Sequence, residues 1–133
     1  MNKRMKVTVF AVCALLMCLM ASTVMALMIK STAYIDYGSS SFVYGGVQDL
    51  NTNALYGTVT STYATGEAVM HGYMWTAGFF FQVLRDYDSV APGGDAKSLH
   101  WSNPSKETGD FFAEAVAPSG NHEGTCQIRQ YGH

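Results

Sequence analysis

Residues 55–63 read LYGTVTSTY and have the clearest two-residue period in the chain. Leu55, Val59 and Tyr63 fall on one face of an extended segment, and three threonines alternate with them on the other face. A sheet with one face on a core and one face in solvent produces this alternation, and Val, Thr and Tyr are frequent in strands. The stretch therefore predicts a strand of an antiparallel sheet with a polar outer face.

Further segments of strand-like composition flank this one, each rich in Tyr, Phe, Val or Thr and bounded by Gly, Ser, Asn or Pro. They cover residues 32–37, 41–44, 67–76, 79–87, 97–101, 109–116 and 124–131. After Ser31, no run has the i, i+3, i+4 and i+7 apolar spacing of an amphipathic helix. These features predict an all-β protein, a small antiparallel β-sandwich of seven or eight short strands.

Two neighbouring segments, residues 67–76 and 79–87, are apolar on both faces. In the first of them, Met70 and Met74 share one face, and Tyr73 and Trp75 share the opposite face. The turn-forming residues between the segments predict a hairpin. Because strands covered on both faces lie inside a sheet, we expect both segments to be central strands.

The amino-terminal segment has the composition of an export signal. Lys3, Arg4 and Lys6 precede an apolar run over residues 7–20, and Val24 and Ala26 supply small residues at the −3 and −1 positions of a cleavage site. We therefore predict a cleavable signal peptide over residues 1–26, with a single β-sandwich domain over residues 27–133. The protein is expected to be secreted, in the medium or at the cell surface.

An uncleaved membrane anchor is the alternative for this segment. Apolar residues resume after Thr23, so residues 7–29 form a run of about 23 residues, which is long enough to cross a bilayer. The basic residues would remain on the cytoplasmic side. Membrane contact is expected only in this case.

The charge of the predicted mature chain argues against one class of partner. Three of the eight basic residues lie in the first 26 positions and all ten acidic residues lie after them, which gives residues 27–133 a net charge of −5. An acidic domain repels phosphate backbones, so nucleic acid is not an expected partner.

Cysteine placement limits how the domain is stabilised. Cys13 and Cys18 fall within the predicted signal, which leaves Cys126 alone in the mature chain and rules out an internal disulfide there. The fold must then depend on apolar and aromatic burial. We expect Cys126 to be a small buried side chain facing inward with Ile128; the alternatives are an intermolecular disulfide and a reactive thiol.

The sequence contains none of the common catalytic or metal-binding motifs. It has no Gly-x-Ser-x-Gly elbow, phosphate-binding glycine loop, His-Glu-x-x-His helix or paired-cysteine motif. The histidines lack the spacing of ligand pairs, and Asp86, Asp88 and Asp95 are interpreted as solvated turn residues rather than a calcium loop. We expect no metal site, no cofactor and no enzymatic activity.

Aromatic residues are the most suggestive feature for function. The chain has eight Tyr, seven Phe and two Trp. Exposed Tyr and Trp offer rigid contact area at low entropic cost, whereas the alternative interpretation places these residues in the core. Six positions are candidates for a stacking surface that binds sugar rings: Tyr34, Tyr44, Tyr56, Tyr73, Trp75 and Trp101. Of these, Tyr73, Trp75 and Trp101 are selected as ligand-binding residues.

Two functional hypotheses follow from these observations. The first is a non-enzymatic binding or interaction module outside the cytoplasm, with a glycan or another cell-envelope component as its partner. The second is a secreted toxin or bacteriocin-like protein that acts on a target envelope by insertion or oligomerisation.

Overall fold

The computed structural model describes residues 2–26, 28–38, 42–65, 69–118 and 122–131. Helix α1 covers Lys3–Ala26. In the described residues the chain then forms nine strands: β1 Met28–Ile35, β2 Phe42–Tyr44, β3 Gln48–Leu50, β4 Ala54–Ala64, β5 Met70–Ala77, β6 Gln82–Val90, β7 Lys97–Ser102, β8 Gly109–Val116 and β9 His122–Tyr131.

Helix α1 contains the basic residues and the apolar run of the predicted signal. Met28 and Ile29, the last part of the alternative anchor, belong to β1 instead. Over the described ranges, no helix combines the length and the hydropathy that a membrane crossing requires. Cleavage after Ala26 would leave all of β1 in the mature chain, because β1 begins at Met28. This cleavage remains a prediction.

The strands form two antiparallel sheets, as predicted. One sheet has the order β1-β9-β4-β7, and the other has the order β2-β8-β5-β6 with β3 also paired to β8. The two sheets pack face to face in the manner of a β-sandwich. The fold class predicted from the sequence is therefore confirmed.

The alternation that predicted β4 also determines its burial. Leu55 and Val59 are fully buried between the sheets, whereas the intervening threonines lie on the outer face. Tyr63 departs from this pattern, because a register shift between Ser61 and Tyr63 moves its side chain to the outer, exposed side. The expectation that Tyr63 shares a face with Leu55 and Val59 is therefore wrong.

Three other expectations about strands need correction. Strand β3 was not expected from the sequence. Residues 79–81 form the exposed connection between β5 and β6 rather than part of a strand. The predicted hairpin is present, since Ala77 pairs with Gln82, but β6 is an edge strand and only β5 is interior.

The two sheets approach each other closely at Gly72 of β5. A Cβ atom at this position would overlap the Val59 side chain of β4 and would lie 3.1 Å from Cys126 Sγ of β9. Glycine is therefore required by space, because the side chains of the facing sheet occupy the volume that a methyl group would need.

Hydrogen bonds between the sheets close the two sides of the sandwich. On one side the buried hydroxyl of Ser31 in β1 accepts a hydrogen bond from the backbone N–H of Ala113 in β8, at 2.9 Å. On the other side the Asp86 carboxylate of β6 accepts one from the backbone N–H of His100 in β7, at 2.8 Å. Each bond joins one sheet to the other.

We predict that Gly72→Ala destabilises the fold by about 1–3 kcal/mol, because the added methyl group overpacks the contact with Val59. Gly46→Ala is the control, since the nearest atom to its Cβ would be Gln48 Nε2 at 3.7 Å. Denaturant unfolding of both variants measures the difference. Equal midpoints would show that the contact is not a tight one.

Candidate functional site

The candidate site lies on the outer face of the five-stranded sheet. Strand β5 alternates, so that Met70 and Met74 face the core while Tyr73 and Trp75 face outward. Because β5 is paired with β8 on one side and β6 on the other, its outward side chains have neighbours in both directions. The distribution of side chains between the two faces of this strand agrees with the sequence.

Strand register places one row of side chains across four strands. Tyr44 of β2 is opposite Glu114 of β8, which is opposite Tyr73 of β5, which is opposite Tyr87 of β6. The Tyr73 and Tyr87 rings stack with their centroids 6.1 Å apart and an interplanar angle of 25°. The row thus consists of three tyrosines and one carboxylate.

A second set of rings lies beside this row. Trp75 pairs with Phe112, and their rings are nearly parallel at 12° with centroids 6.4 Å apart. Tyr44 contacts Phe112 edge to face at 5.7 Å and contacts Phe42 at 5.3 Å. These contacts join residues of β2, β5 and β8, and the Tyr73–Tyr87 pair lies beside them in the strand register. The combined surface is here named the aromatic face: Phe42, Tyr44, Tyr73, Trp75, Tyr87 and Phe112.

Exposure differs across the aromatic face. Tyr44, Tyr87 and Phe42 are exposed, Tyr73 and Trp75 are half-buried, and Phe112 is buried beneath its neighbours. The exposed rings therefore pack against rings that are half-buried or buried. Ring–ring contacts of this type stabilise the arrangement beyond simple area burial.

Polar groups lie among the rings. A hydrogen bond to Glu114, together with the charge of that carboxylate, raises the pKa of the exposed Tyr44 hydroxyl. His71 Nδ1 lies 2.6 Å from Ser89 Oγ. Tyr44, His71 and Glu114 also line an open depression of about 530 Å³ next to the aromatic face. A ligand lying there would find both flat rings and hydrogen-bonding groups.

The structure brings together only some of the residues selected from the sequence. Tyr73 and Trp75 are members of the aromatic face, and so is Tyr44. Tyr34 and Tyr56 are exposed on the outer face of the other sheet, where Tyr34 donates a hydrogen bond to Glu123 at 2.8 Å. Trp101 belongs to neither surface, so the selected set Tyr73, Trp75 and Trp101 is not a single site.

Trp101 is part of the packing between the sheets. It lies in β7 and packs against the buried core. Arg85 covers its ring, with the guanidinium carbon 4.3 Å from the ring centroid. The same arginine donates a hydrogen bond to Thr76 Oγ1 at 2.7 Å and forms an ion pair with Glu107. These contacts give Trp101 and Arg85 a structural role.

A β-bulge places Arg85 in this position. The register of β5 with β6 shifts so that Met74 faces Asp86 while Trp75 faces Leu84, which leaves Arg85 as the extra residue. A bulge redirects the side chain at which it occurs. Periodicity in the sequence gives no indication of such a shift. Trp101 faces the core for a different reason, since β7 pairs with β4 and places Trp101 opposite the buried Leu55.

We predict that Arg85→Ala lowers the free energy of unfolding by about 1–2 kcal/mol, through loss of the cation–π contact and of the Thr76 hydrogen bond. Glu107→Gln should cost about 0.5 kcal/mol or less, because the Glu107 side chain is half exposed and the ion pair is screened. Urea unfolding curves compare the two. A larger loss for Glu107→Gln would contradict this ranking.

Four members of the site were not selected from the sequence: Phe42, Tyr87, Phe112 and Glu114. Phe112 and Glu114 alternate with the buried Phe111 and Ala113 in β8, so a face assignment for that strand would have separated them from the core. Their neighbours across the sheet depend on register, which the sequence does not specify without knowledge of the pairing.

The other chemical candidates do not form a site in the described part of the chain. No group of three or more His, Cys, Asp or Glu side chains there is arranged to hold a metal ion. Asp86 and Asp88 lie in β6 rather than in a turn. His122 is fully buried, and neither of its ring nitrogens has a hydrogen-bond partner within the described residues.

Cys126 is a buried thiol, as expected. Its side chain is 0% exposed, and Sγ donates a weak hydrogen bond to the Tyr73 carbonyl at 3.7 Å. Burial raises the pKa of this thiol to about 12. The buried position is unsuited to an intermolecular disulfide or to a nucleophile.

We predict that stability falls as pH rises above about 9, the ordinary value for a cysteine thiol. The raised pKa means that the folded state keeps the proton that the unfolded state loses, at about 1.4 kcal/mol per pH unit up to the folded value. The full contribution is present below pH 9. Unfolding curves between pH 8 and 11 measure it.

Cys126→Ala is the control for this pH dependence, because it removes the thiol and keeps a small buried side chain. Its stability should decline less steeply than that of the wild type over the same range. Parallel decline of the two proteins would show that another group causes the loss.

The chain has the architecture of a small β-sandwich with an aromatic surface on one sheet. No family model matches its sequence, and no curated protein matches it. Similar solved structures include the disulfide-linked pili of Bacillus endospore appendages, with a TM-score of 0.48 and 11% identity over 80% of this chain and 90% of that chain.

Two further structures are similar at the same level. The Yersinia pseudotuberculosis-derived mitogen has a TM-score of 0.46 and 12% identity over 80% of this chain and 86% of its own. A carbohydrate-binding module of the glycoside hydrolase family 9 protein Cel9A from Ruminococcus flavefaciens FD-1 has a TM-score of 0.39 and 12% identity over 80% and 98%. Likeness at this level does not extend to function.

Proposed function

We propose that this protein is a secreted, non-enzymatic β-sandwich module that binds a glycan of the cell envelope through the aromatic face. The observation that carries the proposal is the grouping of six aromatic rings on the outer side of one sheet, with Tyr44 and Tyr87 exposed. Contiguous exposed apolar surface on a small protein is a common mark of a binding site.

The chemistry of the aromatic face suits a sugar ring. The faces of a pyranose are lined by C–H groups that stack on aromatic rings, while its hydroxyls need hydrogen-bonding partners. Tyr44, Glu114 and His71 supply such partners beside the rings. Because Glu114 lies at the centre of the row and residues 27–133 have a net charge of −5, a neutral glycan is favoured over an acidic one.

The opposite sheet has a different outer face. Strand β4 presents a row of threonines there, and its exposed tyrosines form two separate ring pairs, Tyr63 with Tyr37 and Tyr56 with His100, instead of a group of six rings. This asymmetry between the two outer faces supports binding on one side of the sandwich only. It also supplies a matched control for mutation.

We predict that Tyr87→Ala weakens glycan binding by about 5–10-fold, through loss of one exposed ring from the stacking surface. Tyr63→Ala should bind as the wild type does, because Tyr63 is similarly exposed, at 52% against 61% for Tyr87, but lies on the other sheet. Affinity electrophoresis in soluble glucans, mannans and xylans and co-sedimentation with peptidoglycan sacculi measure binding.

Near-ultraviolet circular dichroism of both variants checks that folding is retained. Equal affinity of Tyr87→Ala and wild-type protein, or an equal loss in Tyr87→Ala and Tyr63→Ala, would remove the aromatic face as the binding surface. Retention of no glycan by the wild type would remove the proposed ligand class.

A further inference from the structure

The hairpin between β5 and β6 ends in three consecutive exposed phenylalanines. Phe79, Phe80 and Phe81, here named the phenylalanine tip, are 93%, 79% and 73% exposed. They are separate from the aromatic face, since their ring contacts are with one another, at 4.7 Å between Phe79 and Phe80 and 6.1 Å between Phe80 and Phe81. Such exposure of three neighbouring apolar side chains indicates an interaction surface.

The side chains of the tip extend into solvent, as their exposure shows. A Cβ atom added to Gly78 would meet nothing within 4 Å, so that side of the loop is open at its base. The backbone N–H of Gly78 donates to the carbonyl of Phe81 at 2.9 Å and closes the turn. Insertion of the tip into an apolar medium would therefore leave these two backbone groups paired.

The orientation of the three rings favours a lipid partner over a rigid protein surface. The Phe79 and Phe80 rings are inclined by 80° and the Phe80 and Phe81 rings by 55°, so the three rings face different directions. A flat protein surface would cover only part of such a convex tip. Lipid acyl chains and headgroups adapt to its shape and can surround all three rings.

Charge identifies the kind of lipid surface. Strand register places Asp110 beside Ala77 at the base of the hairpin and places Asp49 beside Asp110. Of the nearby basic residues, Arg85 is paired with Glu107, and the exposed Lys106 precedes Glu107 in the same loop. The three carboxylates outnumber these two cations, so this region offers no net attraction to anionic headgroups and association must depend on apolar burial.

We propose that the phenylalanine tip inserts into the interfacial region of a lipid bilayer and docks the sandwich on an uncharged membrane surface. Three Phe side chains supply the apolar area for this contact, and their transfer from water is favourable without any electrostatic contribution. From the sequence, membrane contact was expected only through an uncleaved amino-terminal segment. The phenylalanine tip provides a second, independent route.

The first experiment locates the tip relative to the bilayer. In the full chain, Phe80→Trp places a fluorophore in the phenylalanine tip, and Tyr63→Trp places one at an exposed site near the far end of β4. Both are mixed with phosphatidylcholine vesicles containing brominated acyl chains, which quench indoles that enter the bilayer. We expect vesicle-dependent quenching of the F80W indole and none of the Y63W indole, over the common background of Trp75 and Trp101.

Helix α1 leads into β1 at the same end of the sandwich as the phenylalanine tip, since Met28 pairs with Tyr131, next to the Gln130–Leu55 pair. Tyr56→Trp, exposed at that end on the other sheet, is therefore measured as well, and quenching of the F80W indole beyond that of the Y56W indole separates tip insertion from lipid binding by α1. No extra quenching in F80W, or quenching equal to that of either control variant, would overturn the proposal.

The second experiment measures the affinity that the tip contributes. F79S/F80S/F81S in the full chain should lower partitioning into phosphatidylcholine vesicles by about 10–100-fold, because three exposed apolar side chains are removed. The ratio of wild-type to F79S/F80S/F81S partitioning should be unchanged in 1 M salt and on addition of phosphatidylserine, because both proteins carry the basic residues of α1. Strong dependence of this ratio on salt or phosphatidylserine would contradict an apolar mode of docking.

A second copy of the chain is the alternative occupant of the tip. Light scattering without vesicles decides this point, since a tip seated in another copy would make the wild type oligomeric and F79S/F80S/F81S monomeric. That result, combined with unchanged vesicle partitioning, would overturn the proposal. Glycan retention by F79S/F80S/F81S should equal that of the wild type, which keeps this test separate from that of the aromatic face.

Discussion

The contact of Val59 with Gly72 and Cys126 determines how closely the two sheets pack. Three strands, β4, β5 and β9, meet at this point, and Gly72 lies there with no space for a side chain. Close packing there keeps water out of the interior of a domain whose single predicted mature cysteine is a buried, free thiol. The stability that small secreted domains often obtain from disulfides must come here from this packing.

The inner and outer faces of the five-stranded sheet carry different side chains. The interior is filled mainly by aliphatic side chains, two methionines and Phe111, with Trp101 packed against it. His71 and Tyr73 flank Gly72 along β5 and therefore face outward. Aromatic side chains on the outer face pack against each other on β2, β8, β5 and β6. The aromatic face is thus a second packed layer, open to solvent on one side.

In this protein the sequence predicts which side chains share a face of a strand, but it does not predict which side chains are neighbours across a sheet. Alternation in β4 identified Leu55 and Val59 as inward residues, because burial follows a two-residue period wherever one face is dry. In β5 it separated Met70 and Met74 from Tyr73 and Trp75 but did not say which pair faces inward. The bulge before Tyr63 and the bulge at Arg85 interrupt that period. Trp101 does not lie beside Tyr73 and Trp75, because its strand β7 pairs with β4 in the other sheet. That long-range pairing is not visible in the sequence pattern.

The bulge at Arg85 has a consequence for the edge of the sheet. Strand β6 is the last strand in its sheet, so its outer side carries backbone groups that could pair with a strand from another molecule. The bulge bends and twists the strand in its middle, and the Asp86 and Asp88 carboxylates accept hydrogen bonds from the backbone N–H groups of Tyr87 and Ser89. A second strand would meet a bent backbone in which two N–H groups are already paired. The edge nearest the phenylalanine tip is therefore a poor template for cross-β growth, even though the hairpin is the most apolar exposed part of the described sandwich.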